Sequence, residues 1–285
     1  MTFLKRFDCE FVTRFLIVDN KDVFRKPRSM TRIIHITDLH FWQLVKNPLL
    51  LFNKRILGNL NLLARRRRHV RQERAASFVE LFNTLGAHAL LIGGDLTTTA
   101  TNAEYEMAVE FVNALARSGA PVYMTAGNHD MYTFESRRRR RFEKHFGDRL
   151  DDADKPRLSY LPGGAPLLIL PTAAPNMLTS RGHITTAQML EARRLIEEAP
   201  EGRLVVLAHY PVLPNPTAFH YGVTRRLENS DRLRRILGDA NRPILYLAGH
   251  VHVFSRTVDP RFPNLEQITT SALFYQKRHF PGGFT

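Results

Sequence analysis

The chain has 285 residues, of which 44% are hydrophobic, so it is long enough for one core and at most two domains. Its single cysteine, Cys9, excludes a disulfide framework and a cysteine-based zinc site, and the lack of any run of about 18 apolar residues argues against a membrane-spanning helix. The formal net charge of +14 favours anionic partners such as nucleic acid, acidic lipid or phosphorylated substrates, with a solvated basic surface as the alternative.

Residues 1–29 are predicted to be an N-terminal extension that is weakly attached to the domain at 30–285. Their apolar stretches are interrupted by Arg14 and followed by charged residues, a pattern that does not fit a signal peptide. Met30 stands directly before the first predicted strand. A misassigned start is therefore a second interpretation of this segment.

The first half of the domain alternates predicted strands and helices. Apolar runs without polar alternation predict strands, and apolar residues at steps of three and four predict helices. The strands are expected at 32–37, 89–93 and 121–126, and the helices at 69–85, 103–117 and 134–146. This order is typical of a largely parallel sheet with right-handed crossovers.

The segment 41–68 interrupts this order directly after the first strand. It combines one apolar helical stripe with a run of four arginines, Arg65 to Arg68. The stripe consists of Leu49, Phe52, Ile56, Leu60 and Leu63. A basic amphipathic helix of this kind binds anionic membrane surfaces, which predicts a peripheral membrane contact. The alternative is an inserted helix that packs on the domain and leaves its arginines in water.

The second half of the domain predicts a second sheet. Strands and helices are expected at 158–170 (a hairpin), 185–199 (helix), 204–207 (strand), 228–238 (helix), 243–248 (strand), 253–258 and 265–271 (strands). Two sheets, one from each half, would pack face to face with helices outside. We therefore predict an α/β fold, a four-layer αββα sandwich with two mixed β-sheets and flanking helices.

The ends of five predicted strands carry acidic, amide or imidazole side chains. They are Asp38 and His40, Asp95, Asn128 with His129 and Asp130, His209, and His250 with His252. Ligands of α/β sheets collect beyond the carboxyl ends of the strands, so these side chains are expected to meet. Carboxylates and imidazoles bind Zn, Mn and Fe ions. So many donors suit two ions with a shared carboxylate, an arrangement fitted to in-line attack on phosphorus.

The ordered motifs D-x-H, G-D, G-N-H-D, H and G-H-x-H resemble the calcineurin-like metallophosphoesterase superfamily, from residue 30 to about residue 270. The resemblance implies the αββα fold and a centre of two divalent Mn, Fe or Zn ions. It assigns the first ion to Asp38, His40 and His252, the second to Asn128, His209 and His250, and the bridge to Asp95. His129 would contact the scissile phosphate and protonate the leaving group, and Asp130 would orient His129 by a hydrogen bond.

The remaining histidines and the second arginine run receive structural interpretations. His35, His69, His88, His145, His183, His220 and His279 are interpreted as ordinary core or surface residues. His35 has the opposite parity to its strand neighbours and is expected to point away from the site. Arg137 to Arg141 form either a solvated helix face or a rim that attracts anions.

The substrate is less clearly indicated than the chemistry. G-N-H-D, rather than G-N-H-E, is similar to the class III cyclic-nucleotide phosphodiesterases, which implies a substrate such as 3′,5′-cyclic AMP. The insertion 41–68 instead resembles the chlamydial type of UDP-2,3-diacylglucosamine pyrophosphatase of lipid A biosynthesis, and we rank this lipid-linked substrate first. The proteobacterial type carries arginine where this chain has His129, so it fits less well.

The expected setting follows from these assignments. We expect a cytoplasmic hydrolase, with peripheral contact to the inner face of the membrane through 41–68 as an option. Nucleic acid is disfavoured as a substrate because only the net charge supports it. A binding protein on an inactive phosphoesterase fold is disfavoured because all seven candidate ligands are present.

Overall fold

The computed structural model describes residues 2–7, 11–16, 31–44, 69–150, 152–176, 179–214, 222–277 and 280–285. The amphipathic helix predicted within 41–68 lies outside the described residues from position 45 onward, as do His220 and His279. In the described ranges, no helix has the length and apolar character needed to cross a membrane.

Sixteen strands lie in the described ranges. They are β1 (Thr2–Phe7), β2 (Phe11–Leu16), β3 (Ile33–Ile36), β4 (Ala89–Ile92), β5 (Val122–Met124), β6 (Arg157–Tyr160), β7 (Pro166–Ile169), β8 (Gly182–His183), β9 (Leu204–Leu207), β10 (Leu227–Glu228), β11 (Ile244–Ala248), β12 (Ser255–Val258), β13 (Leu265–Thr269), β14 (Gln276–Lys277), β15 (Phe280–Pro281) and β16 (Gly283–Phe284).

Six α-helices accompany the strands in the described part of the chain. They are α1 (Ala75–Thr84), α2 (Asn102–Ala116), α3 (Phe134–Arg138), α4 (Arg141–Phe146), α5 (Thr186–Glu198) and α6 (Ser230–Gly238). Short 3₁₀ turns occupy Gln72–Arg74 and Val223–Arg225.

The first sheet is built on the parallel strands β3, β4 and β5, with β4 in the middle. Thr285 and His35 exchange both backbone hydrogen bonds, at 2.7 and 3.0 Å, which is the pattern of an antiparallel pair. The preceding strand β16 pairs in parallel with β2, and β2 pairs with β1. The sheet is therefore mixed. How firmly residues 1–29 are attached to the domain stays a prediction.

The second sheet has six strands in the order β12-β13-β11-β9-β7-β6. Its four central strands are parallel, and each edge strand runs antiparallel to its neighbour. The parallel pairing brings the carboxyl ends of β9 and β11 to the same edge of the sheet, so His209 and His250 leave adjacent strands together.

Alternate residues of the strands face different layers of the core. Leu90 and Ile92 of β4 pack with α1, α2 and α4 on the outer side of the first sheet. Ala89 and Leu91 of the same strand pack between the sheets, against residues of β7, β9 and β11. Helices α5 and α6 cover the outer side of the second sheet. The predicted four-layer αββα sandwich is confirmed.

Two of the predicted helices have other bounds in the structure, one because of backbone hydrogen bonds and one because of a left-handed residue. The helix expected from residue 69 begins as a helical turn only at Gln72, because the backbone of His69 and Arg71 pairs with Gln276 and Phe274. The helix expected at 134–146 is wrong as a single element. Arg140 has φ of +48°, a left-handed conformation that separates α3 from α4.

The arginines at 137–141 are largely balanced by nearby acids. Glu135 pairs with both Arg139 and Arg141, at 2.8 and 2.7 Å, and Arg140 pairs with Glu143 at 3.3 Å. This pairing favours the interpretation of a solvated helix face over that of an anion-attracting rim.

Candidate metal centre

Side chains from both sheets converge at the carboxyl ends of the central strands. Three groups of candidate ligand atoms lie within 4.8 Å of one another. They are Asp38 with His40 and His252, His40 with Asp95 and His129, and Asp95 with His209 and His250. Asn128 joins the third group, because its Oδ1 lies 3.2 Å from Nε2 of His209. All seven side chains predicted to bind metal are therefore brought together with His129.

Five of these residues have a left-handed backbone. They are Asp38, His40, Asp95, His250 and His252, with φ between 51° and 67°, among nine such non-glycine residues in the described part of the chain. This conformation is unfavourable for residues with a side chain, and such residues cluster at functional sites. The turns are held by hydrogen bonds from the amides of Asp38 and His40 to the carbonyls of Gly94 and Asp95, both at 2.9 Å.

Two glycines of the motifs are needed for close approach to the carboxylates. A Cβ on Gly249 would stand 2.5 Å from Oδ2 of Asp38, and a Cβ on Gly127 would overlap Oδ1 of Asp95. Any other residue at these positions would displace a candidate ligand. The glycines thus belong to the site although they carry no ligand atom.

The first candidate ion site is formed by Asp38, His40 and His252. Oδ2 of Asp38 accepts hydrogen bonds from the Thr37 hydroxyl and the His250 amide, at 2.8 and 2.9 Å. Its buried Oδ1 accepts none from the described part of the chain and lies 3.2 Å from Nε2 of His252. Nε2 of His252 is in turn 3.0 Å from Nε2 of His40. A carboxylate oxygen and two imidazole nitrogens that face one another match the donor set of a transition-metal ion.

The second candidate ion site has histidines whose outer nitrogens are already engaged. Nδ1 of His209 lies 2.7 Å from the Gly93 carbonyl, and Nε2 of His250 lies 2.9 Å from the Arg225 carbonyl. A carbonyl only accepts, so these nitrogens carry the protons. The other nitrogen of each ring faces the centre, which is the usual arrangement of metal-binding histidines.

Asp95 lies between the two candidate sites. Its Oδ2 is 3.5 Å from Nε2 of His209 and 3.9 Å from Nε2 of His40, which belong to the two different sites. Its Oδ1 accepts the amide of His129 at 2.7 Å. This position is the one that a bridging carboxylate would occupy.

The buried carboxylates of the centre are coupled to the neighbouring histidines. Burial favours the neutral form of Asp95, but His209 and the neighbouring histidines outweigh it and hold the pKa of this carboxyl below its ordinary value. Burial likewise disfavours charge on His209, yet Asp95 raises the pKa of its imidazole to about 9. The two carboxylates are 1% exposed and need positive charge beside them, which protonated His209 or bound metal ions can provide.

His129 is held by a backbone carbonyl. Its Nδ1 lies 2.6 Å from the carbonyl oxygen of Thr98, and its ring stacks on Tyr132 with centroids 5.4 Å apart. The hydrogen bond predicted from Asp130 to the ring of His129 is wrong. The Thr98 carbonyl, and not the Asp130 carboxylate, is the hydrogen-bond partner of Nδ1 of His129.

The carboxylate of Asp130 organises the loops of the site instead. It accepts the backbone amides of Gly127 at 2.9 Å, Thr97 at 2.9 Å and Leu96 at 3.3 Å, and also the Thr97 hydroxyl. Burial, and then the charge of Asp95, raise the pKa of Asp130 to about 7. Asp130 thereby ties the loop after β4 to the loop after β5, and these loops carry Asp95, Asn128 and His129.

Replacing Asp130 by alanine is expected to unfold the protein at lower denaturant concentration. Three buried amides would lose their acceptor, and each unsatisfied buried donor costs about 1–3 kcal/mol. We expect a loss of at least about 3 kcal/mol in a urea titration followed by circular dichroism. A stability equal to that of the wild type, combined with low activity, would instead support a direct role of Asp130 at His129.

Three residues that shape the site were not predicted from the sequence. The backbone carbonyl of Thr98 accepts a hydrogen bond from His129. The hydroxyl of Thr172 accepts a hydrogen bond from the backbone amide of His209 at 3.2 Å. The hydroxyl of Tyr210 contacts the side chain of Asn128. Only Tyr210 had a usable signal, because it directly follows a candidate ligand.

The other described histidines lie outside the centre. His35 is buried between the sheets, with Nδ1 2.8 Å from the Thr270 hydroxyl, and burial lowers its pKa to about 4. His88 accepts the amide of Arg32, His183 pairs with Glu228, His69 contacts the Gln276 carbonyl and His145 stacks on Tyr105.

The fold and the clustered candidate ligands match a family of phosphoesterases. Residues 31–254 match the calcineurin-like phosphoesterase family, and the chain belongs to this family. The family depends on a dinuclear metal centre, and this chain clusters the corresponding candidate ligands.

Individual relatives are distant. The chain is similar to the probable glycerophosphodiester phosphodiesterase GpdQ of Arcobacter nitrofigilis, with 25% identity over 169 residues, which are 59% of this chain and 58% of that protein. A dimetal phosphatase from Danio rerio superposes with a TM-score of 0.59 and 13% identity, over 87% of this chain and 90% of that one. The purple acid phosphatase PPD1 of yellow lupin (Lupinus luteus) gives a TM-score of 0.53 and 13% identity, over 93% and 48%. These two structures support the fold alone.

Proposed function

We propose that the protein hydrolyses a phosphodiester or pyrophosphate bond with two divalent metal ions. The observation that carries this proposal is the convergence of seven candidate ligands from five strand ends, with Asp95 between the two sets. Asp38, His40 and His252 would hold the first ion, and Asn128, His209 and His250 the second. When bound, such a pair of ions supplies an activated water and neutralises phosphate oxygens.

His129 is proposed as the residue that protonates the leaving oxygen. Its Nδ1 lies 2.6 Å from the Thr98 carbonyl, which can only accept, so Nδ1 carries a proton and the proton transferred to a substrate would be the one on Nε2. Its ring lies edge-on to His40, with centroids 4.9 Å apart, and therefore stands directly beside the first candidate site. A group in this position can reach the oxygen of a substrate bound at the ions.

The first proposed substrate is a lipid-linked pyrophosphate such as UDP-2,3-diacylglucosamine. Support comes from the sequence of 41–68, where an apolar stripe and four arginines directly follow the candidate ligand His40. Such a segment could contact acyl chains and anionic headgroups at a membrane surface. The same proposal includes manganese as the bound metal. It also includes a role in lipid A biosynthesis and attachment to the inner face of the membrane.

A small phosphodiester is the second proposed substrate. The similarity to a probable glycerophosphodiester phosphodiesterase favours it, because that protein's name specifies a small diester. The G-N-H-D motif at 127–130 points in the same direction, towards 3′,5′-cyclic AMP.

The proposal is tested by metal removal followed by a substrate panel. We expect the chelated protein to be inactive towards bis-p-nitrophenyl phosphate and to recover on addition of Mn²⁺. The reloaded protein is then given UDP-2,3-diacylglucosamine in detergent, cyclic AMP and glycerophosphodiesters in parallel. Release of UMP with cyclic AMP unchanged would support the lipid-linked substrate. Cleavage of the small diesters alone would favour the second candidate, and activity that survives complete metal removal would contradict the proposed chemistry.

A further inference from the structure

Tyr210 is buried in the middle of the second candidate ion site. Its side chain has no exposed surface. The ring lies 4.1 Å from the ring of His250 and 5.1 Å from the ring of His209, measured between centroids. Its hydroxyl lies 3.1 Å from Oδ1 of Asn128. Tyr210 therefore touches all three residues assigned to the second ion, although it belongs to none of the family motifs found in the sequence.

The hydroxyl of Tyr210 lies between Oδ1 of Asn128 and the Ser180 carbonyl, at 3.1 and 2.6 Å. Its one proton is shared between these two acceptors, and this sharing favours the amide orientation in which the oxygen of Asn128, and not its NH₂ group, is next to Tyr210 and His209. An amide oxygen has two lone pairs, so Oδ1 can accept from Tyr210 and still bind an ion. A flipped amide would present its NH₂ group to the ion and could not bind it.

The backbone and ring of Tyr210 are fixed on all sides. Its amide donates to the Thr172 hydroxyl at 3.1 Å, and its carbonyl accepts from the Tyr246 hydroxyl at 2.8 Å. Gly182 packs so closely on the ring that a Cβ there would stand 2.6 Å from Cδ2 of Tyr210. The hydroxyl consequently has one well-defined position relative to Asn128.

We propose that Tyr210 is a positioning residue for the second metal ion, acting through Asn128 and His250. This inference rests on the proposed dinuclear centre. Residues that orient metal ligands typically affect metal affinity by about 10–100-fold. The change Tyr210→Phe removes only the hydroxyl and keeps the ring against His250, so it removes the contact with Asn128 together with the bond to the Ser180 carbonyl.

The test is a Mn²⁺ titration of the metal-free protein by calorimetry, with electron paramagnetic resonance as a second readout. For Tyr210→Phe we expect one ion to bind as in the wild type and the other about 10–100-fold more weakly. At limiting Mn²⁺, the spin-coupled signal of an ion pair should give way to that of isolated ions. Tyr123→Phe is the matched control, because it also loses a tyrosine hydroxyl bond to a backbone carbonyl, that of Tyr160 at 2.6 Å, and this bond joins β5 to β6 and involves no candidate ligand.

The outcomes separate this inference from the function on which it rests. Wild-type protein that fails to bind two ions would contradict the proposed centre itself. Wild-type protein with two ions and a Tyr210→Phe variant of equal affinity would overturn the role of Tyr210. An equal loss in Tyr123→Phe would overturn it too, because the effect would then arise from general loosening of the domain. Rescue of pair formation in Tyr210→Phe at high Mn²⁺ would support it.

Discussion

The Asp95→Asn variant is expected to lose at least one of the two metal ions and nearly all hydrolytic activity. Asp95 lies between the two candidate sites, within 3.5 and 3.9 Å of histidines that belong to different ions. The amide that replaces it is neutral, so the ions would lose a charge that both share. Changing a residue that only orients a metal ligand lowers metal affinity or activity by about 10–100-fold. Changing a ligand that both ions share should lower kcat by more than this. Metal content is measured by elemental analysis after gel filtration.

Asp259→Asn is the matched control for this change. Asp259, directly after β12, is also buried, but its carboxylate pairs with Arg234 and accepts the amide of Arg261, and neither is a candidate ligand. This variant should retain two ions even if its unfolding midpoint falls. Two tightly held ions in Asp95→Asn itself would remove Asp95 from the bridge.

The His129→Ala variant is expected to show the second large effect, with metal content unchanged. His129 is proposed to donate a proton to the leaving group, and general acid catalysis contributes about 10²–10⁴-fold to the rate. The loss should therefore appear in kcat and should be smaller for substrates whose leaving group is already acidic, such as p-nitrophenol. Comparison of bis-p-nitrophenyl phosphate with an alkyl diester measures this difference.

His88→Ala controls for the loss of an imidazole elsewhere in the protein. His88 is exposed and only accepts a hydrogen bond from the amide of Arg32. Its removal should leave kcat unchanged for both diesters. If His129→Ala slowed both diesters equally, the proton-donor role would be lost, and a role in binding the phosphate would explain the residue better.

The strand ends could be predicted because their signal is local. An apolar run followed at once by Asp, Asn or His places a ligand donor at a sheet edge, and parallel pairing gathers these edges. The five segments that end at Asp38, Asp95, Asn128, His209 and His250 each carry this signal within a few residues. The family motifs add their order along the chain, so both the fold class and the family followed from the sequence.

The interactions that refine the site were not predictable in the same way. Tyr210 and Asn128 are 82 positions apart in the chain, and His129 and Thr98 are 31 apart. No periodicity relates such pairs, and the contact to Thr98 uses a backbone carbonyl that any residue could supply. The expectation that Asp130 orients His129 failed for this reason. Asp130 was chosen because it follows His129 in the chain. Its carboxylate instead accepts hydrogen bonds from the amides of Gly127, Thr97 and Leu96.

Helix boundaries failed where the backbone had another partner. Residues 69–71 are included in the helix predicted at 69–85, yet their backbone pairs with residues 274–276. Arg140 breaks the helix at 134–146 through a left-handed conformation that arginine rarely adopts, so its identity gave no warning.

The candidate ligands are divided between the two halves of the chain, and this division has a thermodynamic consequence. Asp38, His40, Asp95 and Asn128 follow strands of the first sheet, whereas His209, His250 and His252 follow strands of the second. Neither half alone could hold both ions. An ion that binds only the folded state stabilises it by about 2.7 kcal/mol when its concentration is 100 times Kd. The free metal concentration would then set the unfolding midpoint, and the two halves would melt together when the ions are released.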